Sequence, residues 1–168
     1  MIRPADNNDA QAIAAIYNYY ILNSSVTFEE KIISDTEVSR RINSIQDAGF
    51  PWLVKELSGE AIGYAYATPW KERSAYRFSV ETSVYIANDM KSKGMGTALY
   101  LALFAELKKK NIRTAIGGIT LPNSASVTLH EKLGMKKVAH FEKVGFKFGQ
   151  WRDVGYWQAQ LESFNHPV

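Results

Sequence analysis

Apolar residues recur along this chain with two different periods, and the switch between them lays out the elements. Ile13, Ile16, Tyr17 and Tyr20 fall at helical spacing, and Asp6 or Asn8 ahead of them can cap a helix over residues 6–22. Ser34-Asp35-Thr36-Glu37 is a capping box that opens a second helix to about Asp47, closed by Gly49-Phe50-Pro51. Residues 52–57 and 61–68 read as strands joined by the turn Ser58-Gly59-Glu60, a hairpin. After a loop over 69–75, residues 76–86 read as one long strand. Phe78, Val80, Thr82, Val84 and Ile86 share one face, and Arg77, Ser79, Glu81, Ser83 and Tyr85 share the other.

The period then returns to that of a helix over residues 97–110. Leu99, Leu101, Ala102, Leu103, Ala105 and Leu107 make it apolar over most of its girth, so it should be well buried. Residues 112–120 form the next strand. Asn123 caps a helix through Leu133, which Gly134 ends, and residues 136–141 and 154–161 are late strands. Early helices, a hairpin, then strand–helix–strand–helix predict one α/β or α+β domain over 1–168 with a single central sheet.

Composition narrows the function classes. Hydrophobic residues are 46% and charged residues 22%, ordinary for a globular protein with a real core. No apolar run approaches the ~20 residues that span a bilayer, and the start carries no signal-peptide stretch, so a cytoplasmic location is expected. With no cysteine there is no disulfide, thiolate metal site or cysteine nucleophile, and His130, His140 and His166 lack metal-ligand spacing. The net charge of +3 is mild and scattered apart from Lys108-Lys109-Lys110 at a helix end. It suits a polyanionic small ligand, and no basic face with interleaved aromatics points to nucleic acid.

The candidate chemistry sits at Lys91-Ser92-Lys93-Gly94-Met95-Gly96, a basic glycine-bearing turn between a strand and a helix N-terminus. Unpaired backbone N–H groups and the helix dipole favour an anion there. Gly94 and Gly96 allow close backbone approach, and Lys91 and Lys93 add charge. Neither usual nucleotide loop, G-x-x-x-x-G-K-[ST] or G-x-G-x-x-G, is present.

With this turn in place, the chain resembles the GNAT family of N-acetyltransferases. The family's pyrophosphate loop, Q/R-x-x-G-x-G/A, is matched with Lys91 in the first position. A second family feature, an Asn at a strand end followed by a helix closing in an L-G-F-like turn, is matched by residues 121–135. Within the family, residues 26–30, 76–85 and 145–158 are similar to the phosphinothricin and methionine sulfoximine or sulfone acetyltransferases. The resemblance implies a mostly antiparallel, mixed, twisted sheet flanked by helices, with acetyl-CoA as cosubstrate, no metal, and a homodimer.

The implied reaction is direct attack of an amine on the thioester of acetyl-CoA in a ternary complex. Glu81 is the expected base for the amine proton; the competing reading pairs it with Arg77. His130 is expected to protonate the departing thiolate or to act as a base, against the reading of a hydrogen-bonded core histidine. The resemblance places the cofactor on Val84, Tyr85, Ile86, Lys91, Ser92, Lys93, Gly94, Met95, Gly96, Thr97 and Asn123, with the Val84 N–H at the oxyanion. Asn123 is also a plain helix cap, and both roles can hold. The acceptor is expected on Phe28, Ser74, Ala75, Tyr76 and Arg77, with Arg73 a rival to Arg77 for its anionic group. Phe148 and Trp151 wall the pocket, from a second subunit if the chain dimerises. Two other readings stay open: another acceptor amine (a peptide N-terminus, an antibiotic or a polyamine), and a regulatory module that binds acetyl-CoA without turnover.

Overall fold

The computed structural model describes residues 1–91 and 94–163. Its elements run β1 (Ile2–Pro4), α1 (Ala10–Asn23), α2 (Asp35–Asp47), β2 (Trp52–Leu57), β3 (Glu60–Pro69), β4 (Ser79–Ile86), α3 (Met95–Lys109), β5 (Thr114–Leu121), α4 (Ser124–Lys132), β6 (Lys136–Lys147) and β7 (Gln150–Gln160). The strands form one sheet in the order β1-β2-β3-β4-β5-β7-β6. Among the described residues only β4 and β5 pair in parallel; every other neighbour is antiparallel. Among the described residues no helix is long and apolar enough to cross a membrane.

Side-chain alternation gives the sheet two apolar faces, and helices cover both. Leu53, Ala65, Val80, Ala115 and Ile119 pack against Leu99, Leu103 and Leu107 of α3. Trp52, Val54 and Tyr64 face Ile13 and Ile21 of α1 and Val38 and Ile42 of α2. Each fully buried leucine contributes roughly 1.5–3 kcal/mol.

The expected elements stand with local corrections. The strand assigned to 76–86 begins only at Ser79. Ser74–Tyr76 is a single 3-10 turn and Arg77 is helical at φ −58°. The loop is closed at its root by Trp70 N–H donating to the Ser79 carbonyl at 3.1 Å, so the residues before it lie outside the ladder. Phe78 is exposed there and carries the Arg77 guanidinium 4.4 Å from its ring centre. Ala105 is exposed too, because α3 turns that side to solvent. The short edge strand β1 has no sequence period to reveal it. β6 extends past residue 141 through a register shift between Phe141 and Gly145.

Helix α2 forms half of its expected capping box. The Ser34 hydroxyl accepts from the Glu37 N–H at 3.1 Å, whereas the Glu37 carboxylate turns to Arg40 and Arg41. Ser34→Ala should therefore cost about 1 kcal/mol. In a chain of this size that lowers Tm by about 2–4 °C; an unchanged melting curve would show that this cap contributes nothing.

Candidate active site

β4 and β5 pair only from Ser79–Glu81 against Thr114–Ile116. Beyond that point β4 continues on β3 and β5 on β7, and the two strands part. A cleft of about 600 Å³ opens between them. It brings together Val84, Tyr85 and Ile86, then Lys91, Gly94, Met95, Gly96 and Thr97, and finally Asn123 and His130. Ser92 and Lys93 of the expected loop lie outside the described residues, as does His166.

One end of the cleft is built for an anion. Gly94 is the N-cap of α3 at φ +73°, a left-handed conformation that favours glycine. The N–H groups of Met95, Gly96 and Thr97, in the first turn, have no intrahelical acceptor. α4 also starts at the cleft, where Ser124, Ala125 and Ser126 line it. Two positive helix ends thus meet at one cavity. They are closely packed, since a Cβ on Gly96 would lie 3.1 Å from Leu129 Cδ2. Asn123 caps α4, its Oδ1 accepting from the Ser126 N–H at 3.1 Å. Lys91 is held by Asn88 Oδ1 at 2.7 Å, with its ammonium 4.8 Å from the Tyr20 ring centre. The edge of β4 that faces the cleft has no strand partner beyond Glu81. Helix N-termini running into an open strand edge fit a phosphate-bearing ligand with an extended chain that can bond to the strand.

Glu81 stands where the strands begin to part. Gly118, which lines the cleft, leaves room for it: a Cβ there would lie 3.4 Å from Glu81 Oε1 and 3.0 Å from Tyr156 Cε1. The expected competitor, an ion pair with Arg77, is absent among the described residues; Arg77 instead donates to the Ser74 carbonyl at 3.1 Å. Burial pushes the Glu81 carboxyl above the ordinary glutamate range, and the charge of Lys71 opposes this. A half-buried carboxylate without a hydrogen-bond partner among the described residues can accept a proton at useful pH.

His130 is buried. Its Nδ1 donates to the Ser126 carbonyl at 2.7 Å, since a carbonyl only accepts. Nε2 is left with its lone pair and accepts from the Tyr100 hydroxyl at 3.1 Å. Burial lowers the His130 pKa, so the ring is neutral at physiological pH. The core-histidine reading and a place on the cleft wall therefore hold together. Gly117 makes the site possible: a Cβ there would lie 2.5 Å from His130 Nε2.

The expected acceptor residues do not line the cleft. Ser74, Ala75, Tyr76 and Arg77 are exposed at the Glu81 end of β4. Phe28 packs against β6, where a Cβ on Gly145 would meet its ring at 2.1 Å. Its neighbour Val26 does line the cleft, so the segment after α1 is one wall. Sequence reasoning missed Tyr100, Gly117 and Gly118. A lone tyrosine on an apolar helix and a Gly-Gly pair inside a strand were the available signals.

Comparison with known proteins agrees with this geometry. A family model for an acetyltransferase (GNAT) domain matches residues 2–155. The chain is 40% identical over 163 residues to a phosphinothricin N-acetyltransferase of Alcaligenes faecalis, covering 96% of this chain and 83% of that one. It is 33% identical over 166 residues to an L-methionine sulfoximine/L-methionine sulfone acetyltransferase of Salmonella typhimurium, covering 99% and 97%. Among solved structures, a GNAT superfamily phosphinothricin acetyltransferase of Sinorhizobium meliloti in complex with acetyl-CoA superposes with a TM-score of 0.93 at 34% identity, over 100% of this chain and 92% of that one.

Proposed function

This chain belongs to the GNAT family of acetyltransferases, and on that premise we propose that it moves the acetyl group of acetyl-CoA to the amine of a small amino-acid analogue of the phosphinothricin, methionine sulfoximine or methionine sulfone type. The observation that carries the reading is the parting of β4 and β5 into a cleft with two helix N-termini at one end and the half-buried carboxylate of Glu81 at the root. The relatives named for these acceptors supply the substrate class.

Acetyl-CoA would supply the activated acyl group as a thioester. The N–H groups of Met95, Gly96 and Thr97 would hold its diphosphate, with Gly94 setting the turn and Lys91 adding charge. The open edge from Val84 to Ile86 would bond its extended chain, and the Val84 N–H would stabilise the oxyanion. Asn123 stays with the α4 cap and borders the same path. Glu81 would take the amine proton, directly or through water. The proton shared by Tyr100 Oη and His130 Nε2 would serve the departing thiolate. Ser74, Ala75, Tyr76 and Arg77, exposed outside the cleft near the start of β4, would meet the acceptor at its entrance, and Val26 would wall its path.

A homodimer is part of this reading. The hairpin of β6 and β7 exposes Val138, Phe141, Val144, Phe146 and Trp151, with Phe148 at its tip. Phe146 and Trp151 pair across the strands with ring centres 5.1 Å apart. Large apolar surface of this kind favours a partner.

Thiol release from acetyl-CoA tests the activity against methionine sulfoximine, methionine sulfone, phosphinothricin, free amino acids and polyamines. At least one of the first three should exceed the polyamines by about tenfold or more in kcat/KM. Thiol release that is no faster with any amine than with water would sink the reading.

A further inference from the structure

The anionic end of an acceptor needs a cation, and the exposed Arg77 is already committed to the Ser74 carbonyl and the Phe78 ring. Strand register points elsewhere. Glu81 pairs with Ile116, Gly118 with Tyr156 and Thr120 with Val154. Paired residues share a face, and alternation then puts Arg152 on the same face as Glu81, in line with Tyr156 and Val154. Asp153, the acid next to it in sequence, points to the opposite face. There it accepts from the Lys143 N–H at 2.9 Å and pairs with His140 at 2.8 Å.

Among the described residues Arg152 is a cation without an anion. Its Nε is buried and has no hydrogen-bond partner, and among the described residues no carboxylate lies within ion-pair distance of it. A buried donor of this kind is rare and costly unless something fills it. Its surroundings are also built. Arg152 pairs with Gly145, the residue whose missing side chain admits the Phe28 ring. Two residues on, on the same face, Lys147 is only 2% exposed and donates to the Thr27 carbonyl at 2.9 Å. That is one of its three donors. Glu29 and Glu30 are the acids near Lys147, and Glu29 is taken up by Arg41 and Tyr17. Two cations thus sit beneath the segment that carries Val26 and Phe28, on the side of the sheet where Glu81 meets the amine.

We propose that Arg152, beside Lys147 and Phe28, is the subsite for an oxyanion at the far end of the acceptor's side chain, so that the chain favours amines bearing a distal phosphinate or carboxylate. This rests on the acetyltransferase reading above and deepens it. The distance along β7 favours the distal group over the α-carboxylate. Arg152 is four residues from Tyr156, about 13 Å of strand, which an arginine stem and an amino-acid side chain span together, whereas an α-carboxylate stays beside the amine. A planar guanidinium matches both oxyanions with two parallel hydrogen bonds.

The test compares phosphinothricin, which has a distal phosphinate, with methionine sulfone, which is neutral there. Arg152→Gln should raise KM for phosphinothricin about tenfold to a hundredfold, with KM for methionine sulfone and for acetyl-CoA unchanged. Retained methionine sulfone turnover shows that the variant is folded. Arg152→Lys should recover part of the loss, because it keeps the charge without the fork. A phosphinothricin to methionine sulfone ratio of kcat/KM that Arg152→Gln leaves unaltered overturns the subsite while the acetyltransferase reading stands. Calorimetric titration with phosphinothricin is run in parallel. If the wild type turns over neither acceptor, the substrate reading falls, and the subsite survives only if the wild type binds phosphinothricin and Arg152→Gln does so about tenfold more weakly.

Discussion

Glu81→Gln is expected to lower turnover by about a hundredfold or more, with the acetyl-CoA Kd unchanged. The amide keeps the size and polarity of the side chain and removes only its capacity to take a proton. Nothing in the two helix N-termini that would hold the cofactor touches Glu81, so affinity for acetyl-CoA has no reason to move. Unchanged turnover would remove Glu81 as the base.

The pH profile adds a second signature. Desolvation holds the Glu81 carboxyl above the ordinary range against the pull of Lys71. A base acts only when ionised, so kcat/KM of the wild type should fall as pH drops through that raised value. The acid limb then lies at higher pH than an ordinary glutamate would place it. In Glu81→Gln this limb should vanish. Stability responds with the opposite sign. The folded chain holds this proton more tightly than the unfolded chain does. Ionisation therefore destabilises the fold once pH exceeds the unfolded value, and the penalty grows until pH passes the folded one. The glutamine variant escapes that penalty, so its Tm at neutral pH should be equal or higher, and the difference should close in acid. Activity lost while Tm holds or rises marks a group kept for chemistry at a cost to the fold. Loss of both together would mean a damaged structure.

How much of this was legible in the sequence depends on the range of the interactions. Ser34, Asn123 and Gly134 announce helix ends through bonds made within a few residues, and all three stand where expected. The alternation of Val80, Thr82, Val84 and Ile86 correctly marks a strand. It ran three residues too far back, because the Trp70–Ser79 hydrogen bond that sets the true start joins residues nine positions apart. The Gly94 turn was readable as an anion site from local pattern alone. The site as a cavity was not. It exists because β4 and β5 part after Glu81, and no period in either strand encodes the point where a neighbour departs. Tyr100 carries no signal of its own on the apolar α3, because its hydroxyl meets His130 only once α4 is in place. Nothing in the local pattern sets Lys147 and Arg152 apart from the other cations of the chain. Only the fold puts Thr27, 120 residues away from Lys147, onto that ammonium.

Gly94→Val should weaken acetyl-CoA binding by about tenfold to a hundredfold, as read by calorimetry. The cost arises from the backbone. A Cβ at Gly94 meets nothing within 4 Å, so there is no clash to relieve. At φ +73°, however, a β-branched residue is a genuine outlier, and strain of this kind costs of order 1–3 kcal/mol. The chain can shed it by rotating out of the left-handed region. That rotation turns the N–H groups of Met95, Gly96 and Thr97, which must point together at an anion for the helix end to act as one site. Gly49→Val supplies the control. Gly49 is also left-handed, at φ +87° and with open space around its Cβ, but it closes α2 and does not line the cleft. Both variants should therefore lose comparable Tm, and only Gly94→Val should lose acetyl-CoA affinity. Equal affinity in the two variants would mean that the α3 N-terminus is an ordinary strand-to-helix turn and that the cofactor is held elsewhere.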